Sequence, residues 1–368
     1  MRRVVAALVS GALLAAATAL TPSPTWAEPR AAQQASLPPA EAGVRASDVA
    51  AFETSTDVLR WISTYRSRRD PDRVAAAYRT ASRTGALKEP STAGIYVGFL
   101  AGLIGAAPGD ADRLIDAVLP IGPSDRWVVV RAIAYSGHPE WKRLLASLAP
   151  RIPQYGAMIE GYVTGSSPTL SQLAMPRKLP FWERWRDALF RTDDDAALAP
   201  GPAVIDTLWG VYFATGEADP IERIVALLPW SNDHDDLERL IIGSMAKFTL
   251  AANAARDPAL HALLEAQLSA HKSAEITTIL HEVVAAADEN DVDRVRQNAL
   301  TAIDTLQRKD AQAATEPGPA ATVWSRIGDG MMSLGCLAAT AVGQAAFGAR
   351  CLVDGTGHTA LGYRERRE

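Results

Sequence analysis

Asp70-Pro71, His138-Pro139, Asp219-Pro220 and Asp257-Pro258 each set a helix-cap candidate directly before a proline. Proline at the first helical position forfeits no hydrogen bond, because the first amides of a helix have no intrahelical acceptor, and its φ is already helical. Gly85, Gly137 and Gly216 fall where the preceding helices should stop, since glycine accepts the left-handed conformation that ends a helix. Such punctuation specifies helices joined by short turns. The apolar pattern agrees. In the helix read from Asp235, the residues Leu237, Leu240, Ile241, Ser244, Phe248, Ala252 and Ala255 share one face. In the helix read from Asp291, Val292, Val295, Ala299, Ala302 and Leu306 do the same. Nothing between residues 48 and 310 alternates as a strand would. The expected fold is all-α.

Three stretches look alike. Ile95 to Ile104 is an apolar helix followed by a turn and by Arg113-Leu114-Ile115 running to Leu119-Pro120. Trp127 to Tyr135 is followed by Arg143-Leu144-Leu145 running to Ala149-Pro150, and Leu208 to Thr215 by Arg223-Ile224-Val225 running to Leu228-Pro229. Arg113 and Arg143 are spaced like successive helix-turn-helix repeats, but Arg223 comes at no integer multiple of that spacing. Two architectures are therefore open: an irregular, α-solenoid-like array interrupted around Pro168 to Pro180, or a multi-helix bundle. The stretch Asp206-Thr207-Leu208-Trp209-Gly210-Val211-Tyr212-Phe213-Ala214-Thr215-Gly216 resembles a segment of uncharacterised bacterial exported helical proteins. That resemblance covers at most Leu208 to Asp257, implies an all-α fold and carries no known activity.

The N-terminus gives an address. Arg2 and Arg3 precede Val4 to Leu20, which holds no charge; Pro22 and Pro24 then break the helix, and Thr25-Trp26-Ala27 offers small residues at both positions a signal peptidase reads. Cleavage after Ala27 would leave Glu28 as the mature N-terminus. The competing reading is an uncleaved anchor, for which the alanine-rich run is short. The domain reading is then a signal peptide over 1–27, a Pro-, Ala- and Gln-rich linker over 28–47, an all-helical domain over 48–310, a second linker over 311–320 and a Gly/Ala-rich module over 321–368. Localisation follows as exported, periplasmic or secreted, with membrane association as a further alternative.

Charge and cysteine count exclude several functions. A charged share of 21% and a net charge of -5 exclude a strongly basic nucleic-acid binder. Two cysteines exclude a zinc site built on three or four thiolates. No metal site and no cofactor site is expected. Asp233-His234-Asp235-Asp236 has ligand types in a row, yet adjacent positions seldom converge on one ion, so it reads as a helix-capping cluster. Asp288, Asn290 and Asp293 lack the glycine and the full ligand set of a calcium loop and read as an inter-helix turn.

Ser244-Met245-Ala246-Lys247 matches the S-x-x-K spacing in which a lysine activates a serine nucleophile, and places the two side chains one helical turn apart. No Lys-Thr-Gly or Ser-Asp-Asn accompanies it, so a core serine beside a lysine with its amine at the surface is the plainer account. Trp182, Arg184, Trp185 and Arg186 interleave aromatic and cationic groups as binding surfaces do, although Trp182 and Trp185 also suit a core-facing stripe. The functional expectation is a non-enzymatic binding or scaffold protein of the cell envelope, with an envelope protein or peptide as partner and no nucleic acid. An envelope hydrolase acting on cell-wall or peptide substrates is one alternative, and a membrane-associated factor acting through residues 330–349 is the other.

Gly330 to Ala349 contains no charge and offers a possible membrane contact. Cys336 and Cys351 offer the competing reading, a disulfide-closed helical hairpin, favoured by the oxidising compartment and contributing about 3 kcal/mol. The two readings exclude each other. Straight helix would set these cysteines about 22 Å apart, whereas a disulfide needs Cα atoms within about 7 Å.

Overall fold

A computed structural model describes residues 52–173, 201–270 and 273–313. Every regular element among them is a helix. In chain order these are α1 (Ser55–Thr64), α2 (Val74–Arg83), α3 (Gly94–Ala106), α4 (Ala111–Val118), α5 (Trp127–Tyr135), α6 (Trp141–Leu148) and α7 (Gly156–Thr164). After them come α8 (Pro202–Thr215), α9 (Asp219–Val225), α10 (Leu237–Ala254), α11 (Pro258–Ala270), α12 (Ala274–Asp288) and α13 (Val292–Ala313). The fold is all-α.

The glycine stops work as read, and of the four cap-and-proline starts one does so fully. Asp257 caps α11: its Oδ1 accepts the amides of Ala259 at 3.1 Å and Leu260 at 3.2 Å, with Pro258 as the first helical residue. Pro71 opens a short 3-10 turn leading into α2. Asp219 begins α9 itself and caps nothing. His138-Pro139 departs from expectation. Here Pro139 lies in a turn two residues ahead of α6, and His138 is spent on the junction. Its Nδ1 accepts the Glu140 amide at 3.0 Å, which leaves the proton on Nε2, 3.2 Å from the Pro108 carbonyl. Gly85, Gly137 and Gly216 all take left-handed backbone angles at helix ends, φ +79, +66 and +78.

The centre of the molecule is α3. It carries no charge and is buried on every side from Gly94 to Gly102, as a helix apolar all round must be. Against it lies α8, and the two run parallel: Gly94 faces Ala203, Gly98 faces Thr207 and Gly102 faces Val211. A Cβ on Gly98 would sit 1.9 Å from the Thr207 carbonyl oxygen, and one on Gly210 would sit 2.3 Å from that of Ile95. The helices therefore touch backbone to backbone, which only glycine at both positions permits. On its other flank α3 meets α5, where Gly105 abuts Ser136. The first helices of the three similar stretches thus form one layer in the order α5, α3, α8, out of sequence order because α8 packs on α3 across more than a hundred residues of chain.

The second half of the core is built around α10. Asp236 caps it by accepting the Arg239 amide at 3.2 Å. Its buried surface exceeds the single face read from the sequence: Ile242, Met245, Ala246, Leu250 and Ala254 are buried as well. The reason is that α12, α13 and the 3-10 turn Leu228–Asn232 pack around it from different sides. Trp209 of α8 ties the halves together, its Nε1 donating to Thr249 Oγ1 of α10 at 3.1 Å. The α13 stripe is as read, with Val295, Ala299 and Leu306 buried, and the helix extends to Ala313, into the stretch read as a linker from 311. Among the described residues no single helix is long and apolar enough to cross a membrane.

Candidate functional site

Alanine is a good helix former wherever it falls, so its packing consequence appears only when helices meet. Where α2, α3, α4 and the end of α8 converge, the facing positions are Ala75, Ala106, Ala107, Ala117 and Ala214. Five methyl groups cannot fill the space that leucines would, and a hollow of about 380 Å³ remains, open to solvent. Val74, Leu103 and Leu114 complete its apolar wall, and its size is that of a small-molecule site.

Charge lines the rim. On the α4 side Arg113 is engaged with Asp110 at 3.0 Å. On the opposite side stand Arg69 and Asp72, in the turn between α1 and α2; neither makes a hydrogen bond or ion pair among the described residues. Tyr65 lines the hollow beside them. It is only 4% exposed, its ring packs edge-on against Trp61 and Phe99, and its hydroxyl has no hydrogen-bond partner among the described residues. Burial raises the Tyr65 phenol above its ordinary value; the Arg69 charge opposes that shift and the Asp70 charge adds to it. Its proton is retained, so it stands as a donor.

A smaller, more polar hollow of about 230 Å³ lies on the other flank of α3, between α5, α6 and α9. Tyr135, Trp141, Glu217, Asp219 and Arg223 border it. Arg223 donates to the Leu170 carbonyl at 2.6 Å, and burial lowers its pKa while Asp219 opposes the shift. Burial likewise pushes the Tyr135 phenol well up. Its one strong cation is therefore committed to holding a backbone segment in place.

Neither a family model, nor a curated protein, nor a solved structure matches this chain.

Ser244 and Lys247 occupy neighbouring turns of α10, but the geometry does not couple them. Ser244 is buried, whereas the Lys247 amine lies 2.5 Å from Glu282 Oε2 of α12. An ammonium held by a carboxylate is a poor base, so the pair has the geometry of a core serine next to an interhelical ion pair. The acidic run serves as a cap: Asp233 Oδ1 accepts the Asp235 and Asp236 amides, and Arg239 lies 3.7 Å from both Asp233 and Asp236. The turn at Asn290, φ 52, closes α12 with Asp291 donating its amide to the Ala286 carbonyl. Among the described residues no group of three or more His, Cys, Asp or Glu side chains could hold a metal ion. Ala27, Glu28, Trp182, Arg184, Trp185, Arg186, Cys336 and Cys351 lie outside the described residues.

Sequence reading missed Tyr65, Arg69, Asp72 and the alanine ring. The available signal was alanine on or beside four separate helices, most of it at positions that remain exposed. Its meaning depends on which alanines face one another, and that is a tertiary fact.

Proposed function

We propose that this chain is an exported, non-enzymatic binding protein of the cell envelope. In this reading the alanine-ringed hollow takes an apolar group from an envelope peptide or protein. The observation that carries it is the hollow itself: apolar walls of about 380 Å³ closed by charge at the rim, a combination that favours an amphipathic occupant. The charged leader, its uncharged run and Thr25-Trp26-Ala27 supply the address.

The test fills the hollow. Ala117 is exposed at its wall, so Ala117→Leu adds volume there without entering the close-packed core. The wild-type chain immobilised against envelope extract should retain a component that the Ala117→Leu chain releases, with unchanged helix content by circular dichroism. Equal retention by both chains would overturn the reading. Export has its own measurement: the intact mass of the secreted or periplasmic form should begin at Glu28, and retention of residues 1–27 would rule out cleavage there.

A further inference from the structure

Which occupant suits the hollow is decided by the groups left unpaired around it. Arg69 and Asp72 are a cation and an anion on the same rim, separated in the chain by Asp70-Pro71 and bonded neither to each other nor to other described residues. Across the opening Arg113 and Asp110 already neutralise each other at 3.0 Å. Tyr65, whose ring is packed against Trp61 and Phe99, adds a hydroxyl at the wall of the hollow without a protein partner among the described residues, close enough to Arg69 for that charge to act on it. A ligand that enters the hollow displaces the water at this hydroxyl and must itself accept from it. A simple fatty acid would satisfy Arg69 and Tyr65 but would meet Asp72 with nothing to offer. A neutral apolar molecule would leave all three unsatisfied.

Resting on the binding reading above, we infer that the hollow binds short apolar peptides with free termini. The terminal carboxylate accepts from the Arg69 guanidinium and the Tyr65 hydroxyl. The terminal ammonium donates to the Asp72 carboxylate, and the apolar side chains lie against the alanines. Two extended residues span about 7 Å between termini, so a dipeptide is the shortest peptide to carry two apolar side chains between an ammonium and a carboxylate. Charge-assisted hydrogen bonds at both ends give the selectivity, and the alanine walls give the apolar contribution.

Calorimetric titration of the full-length mature chain with leucyl-leucine tests this. Leucyl-leucine should bind saturably, and N-acetyl-leucyl-leucine and leucyl-leucinamide, each lacking one terminal charge, should bind about tenfold more weakly. Arg69→Gln should erase the preference for the free carboxylate over the amide while keeping the preference for the free amine. Asp72→Asn should do the converse. Both substitutions are on exposed positions, so the variants should melt as wild type does. Absence of saturable binding overturns the inference, as does equal affinity for the blocked peptides. Decanoate binding that Asp72→Asn tightens would assign the hollow to fatty carboxylates and overturn it too. If leucyl-leucine fails yet Ala117→Leu still releases an envelope component, the peptide assignment falls and the binding reading stands.

Discussion

At the residue scale the most consequential group is Asp206, one turn into α8. It is 7% exposed, its Cβ lies 2.9 Å from where a Gly94 Cβ would be, and its carboxyl has no hydrogen bond or ion pair among the described residues. Burial raises its pKa well above the ordinary carboxylate value of 3.8. The sign follows from linkage. With the folded value raised, the folded state keeps a proton that the unfolded chain has given up, so stability is fully present below about pH 4 and declines as pH rises toward the folded value. Within that window the slope is about 1.4 kcal/mol per pH unit. Asp206→Asn keeps the shape and removes the titration. Urea midpoints measured from pH 4 upward should therefore fall more steeply for the wild type than for Asp206→Asn. Parallel curves would mean that the carboxyl finds a partner. Nothing local in the sequence marks this aspartate for burial, because the glycine-rich helix laid over it comes from more than a hundred residues away.

At the element scale, the parallel contact of α3 and α8 sets the fold, and it was written in the sequence in a form easily passed over. Gly94, Gly98 and Gly102 recur every fourth residue and line one face of α3, the spacing that lets two helical backbones meet. Helix starts and stops were legible because each rests on one or two neighbouring residues: Asp236 and Asp257 as caps, Gly216 as a terminator. The pairing of α3 with α8 was not, since it joins residues more than a hundred apart and depends on shape. The same distinction explains why the α10 face was read too narrowly and the α13 stripe correctly. A helix at the periphery shows its single buried face in its own periodicity; an enclosed one does not. Gly98→Ala should cost about 2–3 kcal/mol, because the added methyl meets backbone that no rotamer change can move aside. Gly156→Ala, at the start of α7 with nothing within 4 Å, should be neutral or stabilising by about 0.5 kcal/mol. Urea unfolding of the two variants compares them directly, and a Gly98→Ala chain as stable as wild type would deny the backbone contact.

At the scale of the whole molecule, the question is what binds the α1 end of the chain to the α10–α13 core, which lies nearly two hundred residues further on. Aromatic packing fastens the α1 end to α3, where Trp61 and Tyr65 sit against Phe99. The polar part converges on Asp257. Its carboxylate caps α11, pairs with Arg66 from the turn after α1, and accepts from the Tyr212 hydroxyl of α8 at 3.3 Å, while Arg66 lies over the Tyr212 ring at 5.2 Å. One side chain thus joins three parts of the fold, at side-chain exposures of 18% for Asp257 and 21% for Arg66. Such a pair is too shielded to behave like a surface salt bridge and too open to carry the full penalty of a buried one. Asp257→Ala should remove the cap and strand the guanidinium together, costing about 2–4 kcal/mol. Asp257→Asn keeps an oxygen for the α11 amides and should recover about 1 kcal/mol of that loss. In the Arg66→Ala background the Asp257→Ala loss should shrink toward the cap alone, because no guanidinium remains to be stranded. A double-mutant cycle by chemical denaturation reads this coupling, and strict additivity would mean that the two ends of the chain are held by apolar packing with the ion pair contributing nothing.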